Sequence, residues 1–417
     1  MTLSHRVLYG RFIIAALKRV LFLSYNGMLE PIFQSQGLPY LKHLANQGRL
    51  VVLLTFEKKR DVRRAGIEKL TELQKNLKGE KILWHWSSYH KRPPLVSTVF
   101  DIGVGFIRAW VLARKYSVHL IHARGSIPAS FGWPVAKILN KPFLFDMRGF
   151  LAEEYADGGI WKRNGQIFRL VWHFEKRFLE SADWVVVLTN RAANYLRQKA
   201  FLPKNASITV IPCCVDFRRF QEANGKASFY PREDFVLTYA GSLGTWYLLE
   251  PMLDFYQVLK KKVPNASFHI FTQSHDRLLK EKLRQYSGDG LIYREVDYAE
   301  IPSALSSARA GISFIKPVFS KMASSPVKVG EYLASGLPVV LNPDIGDTEA
   351  LIRENRVGVV VRDFNRNSYE EAVEELVELL KEGEVLSERC RQVAASRLSL
   401  EEGARRYDAI YEGLLRR

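Results

Sequence analysis

The stretch SPVKVGEYLASGLPVV, residues 325–340, decides the fold. Ser325 suits a helix N-cap and Pro326 the first helical position, where a missing N–H costs nothing. Gly336 marks the stop, and LPVV then reads as a buried strand. Lys328 and Glu331 are three apart and share a face, while Val329, Tyr332 and Leu333 are spaced to cover a sheet. A helix N-terminus offers free N–H groups and partial positive charge. With Lys328 in its first turn this one suits a phosphate, and Glu331, a turn deeper, suits sugar hydroxyls. In isolation the better reading is a solvated pair on a surface helix. Position changes that, because the apolar run AGISFIKP, residues 310–317, comes just before. Strand, loop and helix N-terminus in that order is where open parallel sheets bind ligands.

Outward from this stretch the same alternation fills the chain. In the second half, strands at 235–240, 267–271, 291–293, 311–315, 338–341 and 358–361 alternate with helices near 248–261, 276–286 and 300–307. Helices near 368–381, 386–397 and 400–415 close it. In the first half, VLFLSY (20–25), LVVLLT (50–55), ILWHW (82–86), SVHLIH (117–122) and PFLFD (142–146) are apolar strand runs, and 184–188 and 208–211 complete the set. The fold class is α/β, with two Rossmann-like, doubly wound parallel-sheet domains facing a cleft. At 417 residues and 47% hydrophobic, the chain is too long for one core and sufficient for two. The polar, irregular segment 217–234 sets the boundary. Residues 1–218 form the first domain, 219–398 the second, and 399–417 a terminal helix placed to pack back on the first.

The net charge of +17 is unevenly divided. Residues 1–215 hold 33 Lys and Arg against 14 Asp and Glu, a difference of +19; the remainder holds 28 against 30, a difference of −2. A general solubility charge would not partition this way, so the first half is read as meeting something anionic: a bilayer surface, a phosphorylated lipid or nucleic acid. Three cysteines, two of them adjacent, make neither a disulfide framework nor a metal spacing and point to a reducing compartment. No membrane span is expected: RVLYGRFIIAALKRVLFLSY, residues 6–25, is broken by Arg11, Lys18 and Arg19. Residues 6–18 are open between a basic amphipathic helix on a membrane and a disordered extension.

Loops after strands carry function, and three in the first domain carry cations. They hold His90, Lys91 and Arg92 before two prolines; His122, Arg124 and Gly125; and Asp146, Arg148 and Gly149. Arg beside Gly at strand ends suggests anion contacts. RGFLAEEYADGGIW, residues 148–161, reads as a mobile loop over the cleft. In the second domain YAGSLGTW, residues 239–246, follows a strand and precedes a helix, as a phosphate-contacting turn would; a tight packing turn explains Gly241 and Gly244 as well.

Three segments in this order, SADWVVVLTNRAANYL (181–196), ITVIPCCVD (208–216) and SPVKVGEYLASGLPVV, resemble the GT-B glycosyltransferases, specifically the retaining group 1 family, glycosyltransferase family 4. The resemblance covers nearly the whole chain. It implies a nucleotide-sugar donor held by the second domain and an acceptor, a saccharide or polyprenyl-diphosphate-linked saccharide, held by the first. By that resemblance Glu331 matches the carboxylate on the donor ribose. Ser324, Ser325 and Lys328 lie near the diphosphate and sugar, Gly241, Ser242 and Gly244 approach the phosphates from the other wall, and Val296 edges the base. Arg148 falls where relatives carry a cleft histidine. Arg148, Lys328 and Arg124 are then the catalytic candidates, with His122, His90, Lys91 and Arg92 on the acceptor side. The family's paired glutamates are eight apart, whereas Ala323 stands eight before Glu331, and the usual Arg and Lys of the glycine loop are absent from GSLGTW.

The leaving diphosphate needs fixed cations, which Lys328, the helix dipole and Arg148 supply. There is no Asp-x-Asp motif, so no metal and no cofactor beyond the nucleotide sugar is expected. Retention is an implication of the family. A lipid-diphosphate acceptor at an anionic membrane gives the cationic half a purpose, with the protein cytoplasmic and peripheral at the inner face of the cell membrane. Three other readings stand beside this one: an inactive relative acting as a nucleotide-sugar-binding scaffold, a nucleic-acid binder, and an epimerase acting on the nucleotide sugar. The second lacks a recognisable reader motif or aromatic platform, and no nucleic-acid partner is expected. The third leaves the basic half unexplained.

Overall fold

A computed structural model describes residues 17–203, 206–221, 235–272, 283 and 290–416. The proposed helix at 6–18, the boundary segment 217–234 and the helix at 276–286 fall largely outside the described residues.

The first domain is a sheet of seven parallel strands: β1 Lys18–Ser24, β2 Arg49–Lys58, β3 Ile82–Tyr89, β4 Leu120–Arg124, β5 Phe143–Asp146, β6 Trp184–Val187 and β7 Ile208–Val210. Their order is β3-β2-β1-β4-β5-β6-β7. Val20 of β1 pairs with Val51 on one side and Leu120 on the other. The central strands read as unbroken apolar runs because helices cover both faces of a parallel sheet. Short helices α1 Pro31–Gln36 and α2 Leu38–Asn46 lie toward one face, where Phe22, Leu41, Val51 and Leu53 share a core. On the other face, Leu21, Leu23 and Ile121 pack against α3 Pro94–Lys115, α4 Ser126–Ile138 and, beyond α5 Leu151–Asp157, the helix α6 Gln166–Ser181. Gly105 lets α3 and α4 touch, since a Cβ there would lie 2.8 Å from the Phe131 ring.

The second domain has six parallel strands: β8 Val236–Ala240, β9 Ser267–Thr272, β10 Leu291–Glu295, β11 Ala310–Ser313, β12 Val339–Leu341 and β13 Gly358–Val360, ordered β10-β9-β8-β11-β12-β13. Its helices include α7 Val327–Ala334 and α8 Glu384–Leu398. The final helix, α9 Leu400–Leu415, crosses back to the first domain. Its Ala404, Tyr407, Ile410, Tyr411 and Leu414 share a core with Val20, Leu44, Leu120 and Leu144. Arg49 at the start of β2 pairs with Asp408 and, at 2.8 Å, with Glu412. The two crossings between domains are bonded to each other: Val215 N–H donates to Leu398 O (2.8 Å) and Leu400 N–H to Val215 O (3.0 Å).

Three local expectations change. The segment 148–161 contains a helix, α5, rather than an irregular loop. It also reaches the other domain, because Asp157 accepts from Ser320 N–H (2.8 Å) and Glu154 pairs with Lys321 (3.1 Å). The helix expected to start at Pro326 starts at Val327, and Ser325 does not cap it. Its hydroxyl instead accepts from Cys213 N–H at 3.0 Å, an interdomain bond. Finally, α3 is a 22-residue helix that the sequence reading did not identify.

Candidate active site

The chain turns from β11 through a 3-10 turn into α7, which brings its first residues to a cleft of about 530 Å³ between the domains. From the second domain the cleft is lined by Gly241, Ser242, Thr272, Val296, Tyr298, Lys328 and Glu331; from the first, by Glu30, Pro31, Ile32 and Ser35. Lys328 and Glu331 are therefore not a solvated pair. Each is buried, at 5% and 8% exposure, yet faces this opening. The remaining faces of α7 explain its rigidity: Val329, Tyr332 and Leu333 are buried in the second-domain core, and Tyr332 Oη accepts from Ala240 N–H at 2.8 Å.

Lys328 Nζ donates to Tyr239 Oη at 2.8 Å and lies 3.4 Å from the centre of the Tyr247 ring. Tyr239 lies in β8, which runs directly into the turn at Gly241, whose φ of +144° is left-handed territory. A Cβ at Gly241 would meet Nζ at 2.7 Å. Bare backbone and an ammonium are thus stacked at one spot, as a phosphate site requires. Gly241→Ala is expected to lower donor affinity about tenfold, and by strain to cost about 1 kcal/mol of stability. Calorimetric titration and thermal melting of the same variant check both. Gly244, with φ +139°, shapes the turn behind but does not line the cleft.

Burial is the dominant cause at both charged groups. It pushes Lys328 well below its ordinary value despite Glu331, and it raises Glu331 despite Arg219 and Lys328. Burial thus works against the charge on Lys328, and a diphosphate beside it would work in favour of that charge. Arg219 braces the other wall, its guanidinium 3.8 Å from the Tyr298 ring centre and bonded to Tyr298 O at 2.6 Å.

Ser324 and Ser325 do not line this cleft; Ser325 faces a second interdomain groove with Asn190, Asp347 and Arg397. Ala323 is buried among first-domain apolar side chains, so the position eight before Glu331 belongs to the interdomain core.

At two of the three first-domain strand ends, His122, Arg124 and Arg148 converge on Asp146, to which the sequence assigns no role. Asp146, fully buried at the end of β5, pairs with Arg124 at 3.1 Å and Arg148 at 3.5 Å and accepts from Tyr407 Oη at 2.9 Å. Burial alone would raise its pKa. Arg148, with His122 and Arg124, outweighs that and holds the carboxyl well below the usual range. Arg148 also contacts Cys213 Sγ at 3.3 Å. His122 is corrected from the acceptor side to the interior: it is 1% exposed, its Nδ1 lies 2.8 Å from Tyr411 Oη, and burial lowers its pKa. Arg124 is likewise a buried ion-pair partner. His90 does not line the cleft and is held in place: Asp101 of α3 meets its Nδ1 at 2.6 Å and accepts from its N–H and from Tyr25 Oη. Lys91 and Arg92 are exposed beside it. Asp146 has no sequence signal beyond ending a strand between arginine loops.

Two doubly wound sheets with their strand ends across one cleft are the GT-B architecture. The chain belongs to the group 1 glycosyltransferases: residues 40–219 match the family described as Glycosyltransferase Family 4, and residues 234–379 the one described as Glycosyl transferases group 1. Compared by sequence with curated proteins, it has no match. Among solved structures it is similar to a sucrose-phosphate synthase from Thermosynechococcus elongatus (TM-score 0.70, 17% identity, covering 95% of this chain and 99% of that one). It is also similar to a glycosyltransferase from Rickettsia africae (0.69, 16%, 96% and 99%) and to Anabaena HepE in complex with UDP and glucose (0.67, 13%, 94% and 99%). At these identities the likeness speaks for the fold.

Proposed function

We propose that this protein moves a sugar from a nucleotide-diphosphate sugar, held by the second domain, to a saccharide or polyprenyl-diphosphate-linked saccharide at the first-domain wall. The product belongs to cell-surface polysaccharide synthesis, and the anomeric configuration is retained. The observation that carries the reading is the burial of Lys328 and Glu331 together on the cleft floor beneath the Gly241 turn. Val296, Thr272 and Tyr298 frame the base, Glu331 accepts from the ribose hydroxyls, and Lys328 with the first turn of α7 takes the diphosphate. As the anomeric bond breaks, charge grows on that diphosphate, where Lys328 is already placed. This positive charge comes from the protein itself, so the reading needs no metal. The UDP bound by the Anabaena relative makes uridine the first base to test.

A thermal-shift screen against uridine, guanosine, adenosine and thymidine diphosphosugars tests the donor assignment. Glu331→Ala is expected to weaken the donor that scores by about 2 kcal/mol, roughly thirtyfold, and to abolish its thermal shift. An undiminished shift would remove Glu331 from the ribose.

The second reading, a nucleotide-sugar-binding scaffold, draws on Ala323, where the resemblance expects a carboxylate and this chain has a methyl group buried in the interdomain core. Slow release of nucleotide diphosphate from a bound donor, lost in Lys328→Met, would exclude it.

A further inference from the structure

The outer face of α3 has no protein against it among the described residues. Val96, Val99, Phe100, Ile107, Trp110 and Val111 are 37% to 65% exposed and recur at three- and four-residue spacing, which makes one continuous stripe. The inner face, with Asp101, Gly105, Ala109 and Leu112, is buried on the first sheet. By length and composition α3 would suffice to cross a membrane, but its inner face is occupied by its own domain. A core helix would be covered on all sides. This one lies on the surface of its domain. In the same layer α6 exposes Ile167, Leu170 and Phe174, and α4 ends in exposed Ile138.

Charge on this layer is predominantly positive. Arg108, Arg114, Lys115, Lys137, Arg169 and Arg177 are exposed on α3, α4 and α6. Of the acids on these helices, Asp101 and Glu175 are buried, which leaves Glu180 as the exposed carboxylate. Arg114 lies 5.4 Å from the Trp110 ring centre and Lys137 5.5 Å from that of Trp133. Such basic and aromatic pairs suit the level of lipid headgroups, with the aromatic body in the apolar boundary. A second copy would press one basic rim against another.

We propose that the outer face of α3, continued by α6, docks this protein flat on an anionic bilayer. Apolar side chains sit at the boundary between headgroups and acyl chains, and the basic rim sits among the lipid phosphates. Helix α3 begins just beyond His90, Lys91 and Arg92, at the strand ends that face the cleft. A docked molecule therefore presents its acceptor wall to a lipid-borne diphosphate. That last step rests on the transferase reading; the docking does not.

The test is flotation of the full chain with vesicles of phosphatidylcholine mixed with phosphatidylglycerol, against phosphatidylcholine alone, at low and high salt. Flotation is expected with the anionic vesicles, weakened by salt, together with a blue shift in emission that Trp110→Phe removes. Val99→Glu combined with Ile107→Glu is expected to reduce vesicle partition at least about tenfold, with melting temperature and donor-induced thermal shift unchanged. Unaltered flotation of this variant would overturn the proposal by placing the contact elsewhere in the chain. So would a stripe-dependent dimer in sedimentation without flotation. Because donor binding is measured without vesicles, its failure beside retained flotation sinks the transferase reading alone, and the reverse sinks the docking alone.

Discussion

Lys328→Met is expected to lower kcat/KM for sugar transfer by roughly 10²–10³-fold, or about 3–4 kcal/mol of transition-state stabilisation. The methionine fills the same buried volume against Tyr239 and Tyr247, so folding is preserved while the group that meets the growing charge is lost. The effect falls mainly on kcat, because charge on the leaving diphosphate is greatest in the transition state. A pH dependence should accompany it. In the empty cleft burial keeps Lys328 well below its ordinary pKa, and a bound diphosphate raises it again, so donor binding takes up a proton. Affinity is then flat below the empty-site value and falls about tenfold per pH unit above it, up to the bound-state value. The same depression makes the unfolded chain the better proton binder across that window, so the contribution of Lys328 to stability rises with pH there. Titration calorimetry in two buffers of different ionisation enthalpy measures the uptake directly. Proton uptake and turnover both unchanged in Lys328→Met would remove Lys328 from the diphosphate.

Asp146→Ala should have the largest effect on stability, costing about 3–5 kcal/mol. It leaves the buried Arg124 and the half-buried Arg148 with no carboxylate between them and strips Tyr407 of its acceptor. For domains of this size the loss corresponds to a fall in melting temperature of roughly 10 °C. Tyr407→Phe, which removes one hydrogen bond and no charge, should cost about 1 kcal/mol. Equal effects of the two variants would show that the ion pairs contribute nothing. Because Asp146 is held below the ordinary carboxylate value, its contribution is present above the unfolded-state pKa and is lost only as pH falls through the depressed folded value, in strong acid.

The alternation of strands was readable because fully buried parallel strands are unbroken apolar runs, and LVVLLT needs nothing but its own composition to be recognised. The placement of Lys328 and Glu331 on one face, with Tyr332 turned inward, follows from helical spacing alone. The misreadings share a cause, which is that the deciding partner is far away in sequence. His122 looked like a cleft residue until Tyr411, 289 positions on, covered it. Ser325 fits a cap in sequence, but Cys213 N–H claims its hydroxyl. Helix α3 escaped because it is apolar on the outside as well as the inside, so it lacks the polar face that periodicity detects. The helix at 151–157 was hidden by its acids, which bind Arg163 and the opposite domain instead of water.

The path of α9 also bears on how the molecule is made. Its sixteen residues lay the outer layer over β1, β4 and β5, so on the ribosome Val20, Leu120 and Leu144 stay uncovered until residues 400–415 have been translated. The first lobe is completed by residues translated after the second, and a truncation that removes α9 would be felt at β1, far upstream in the sequence.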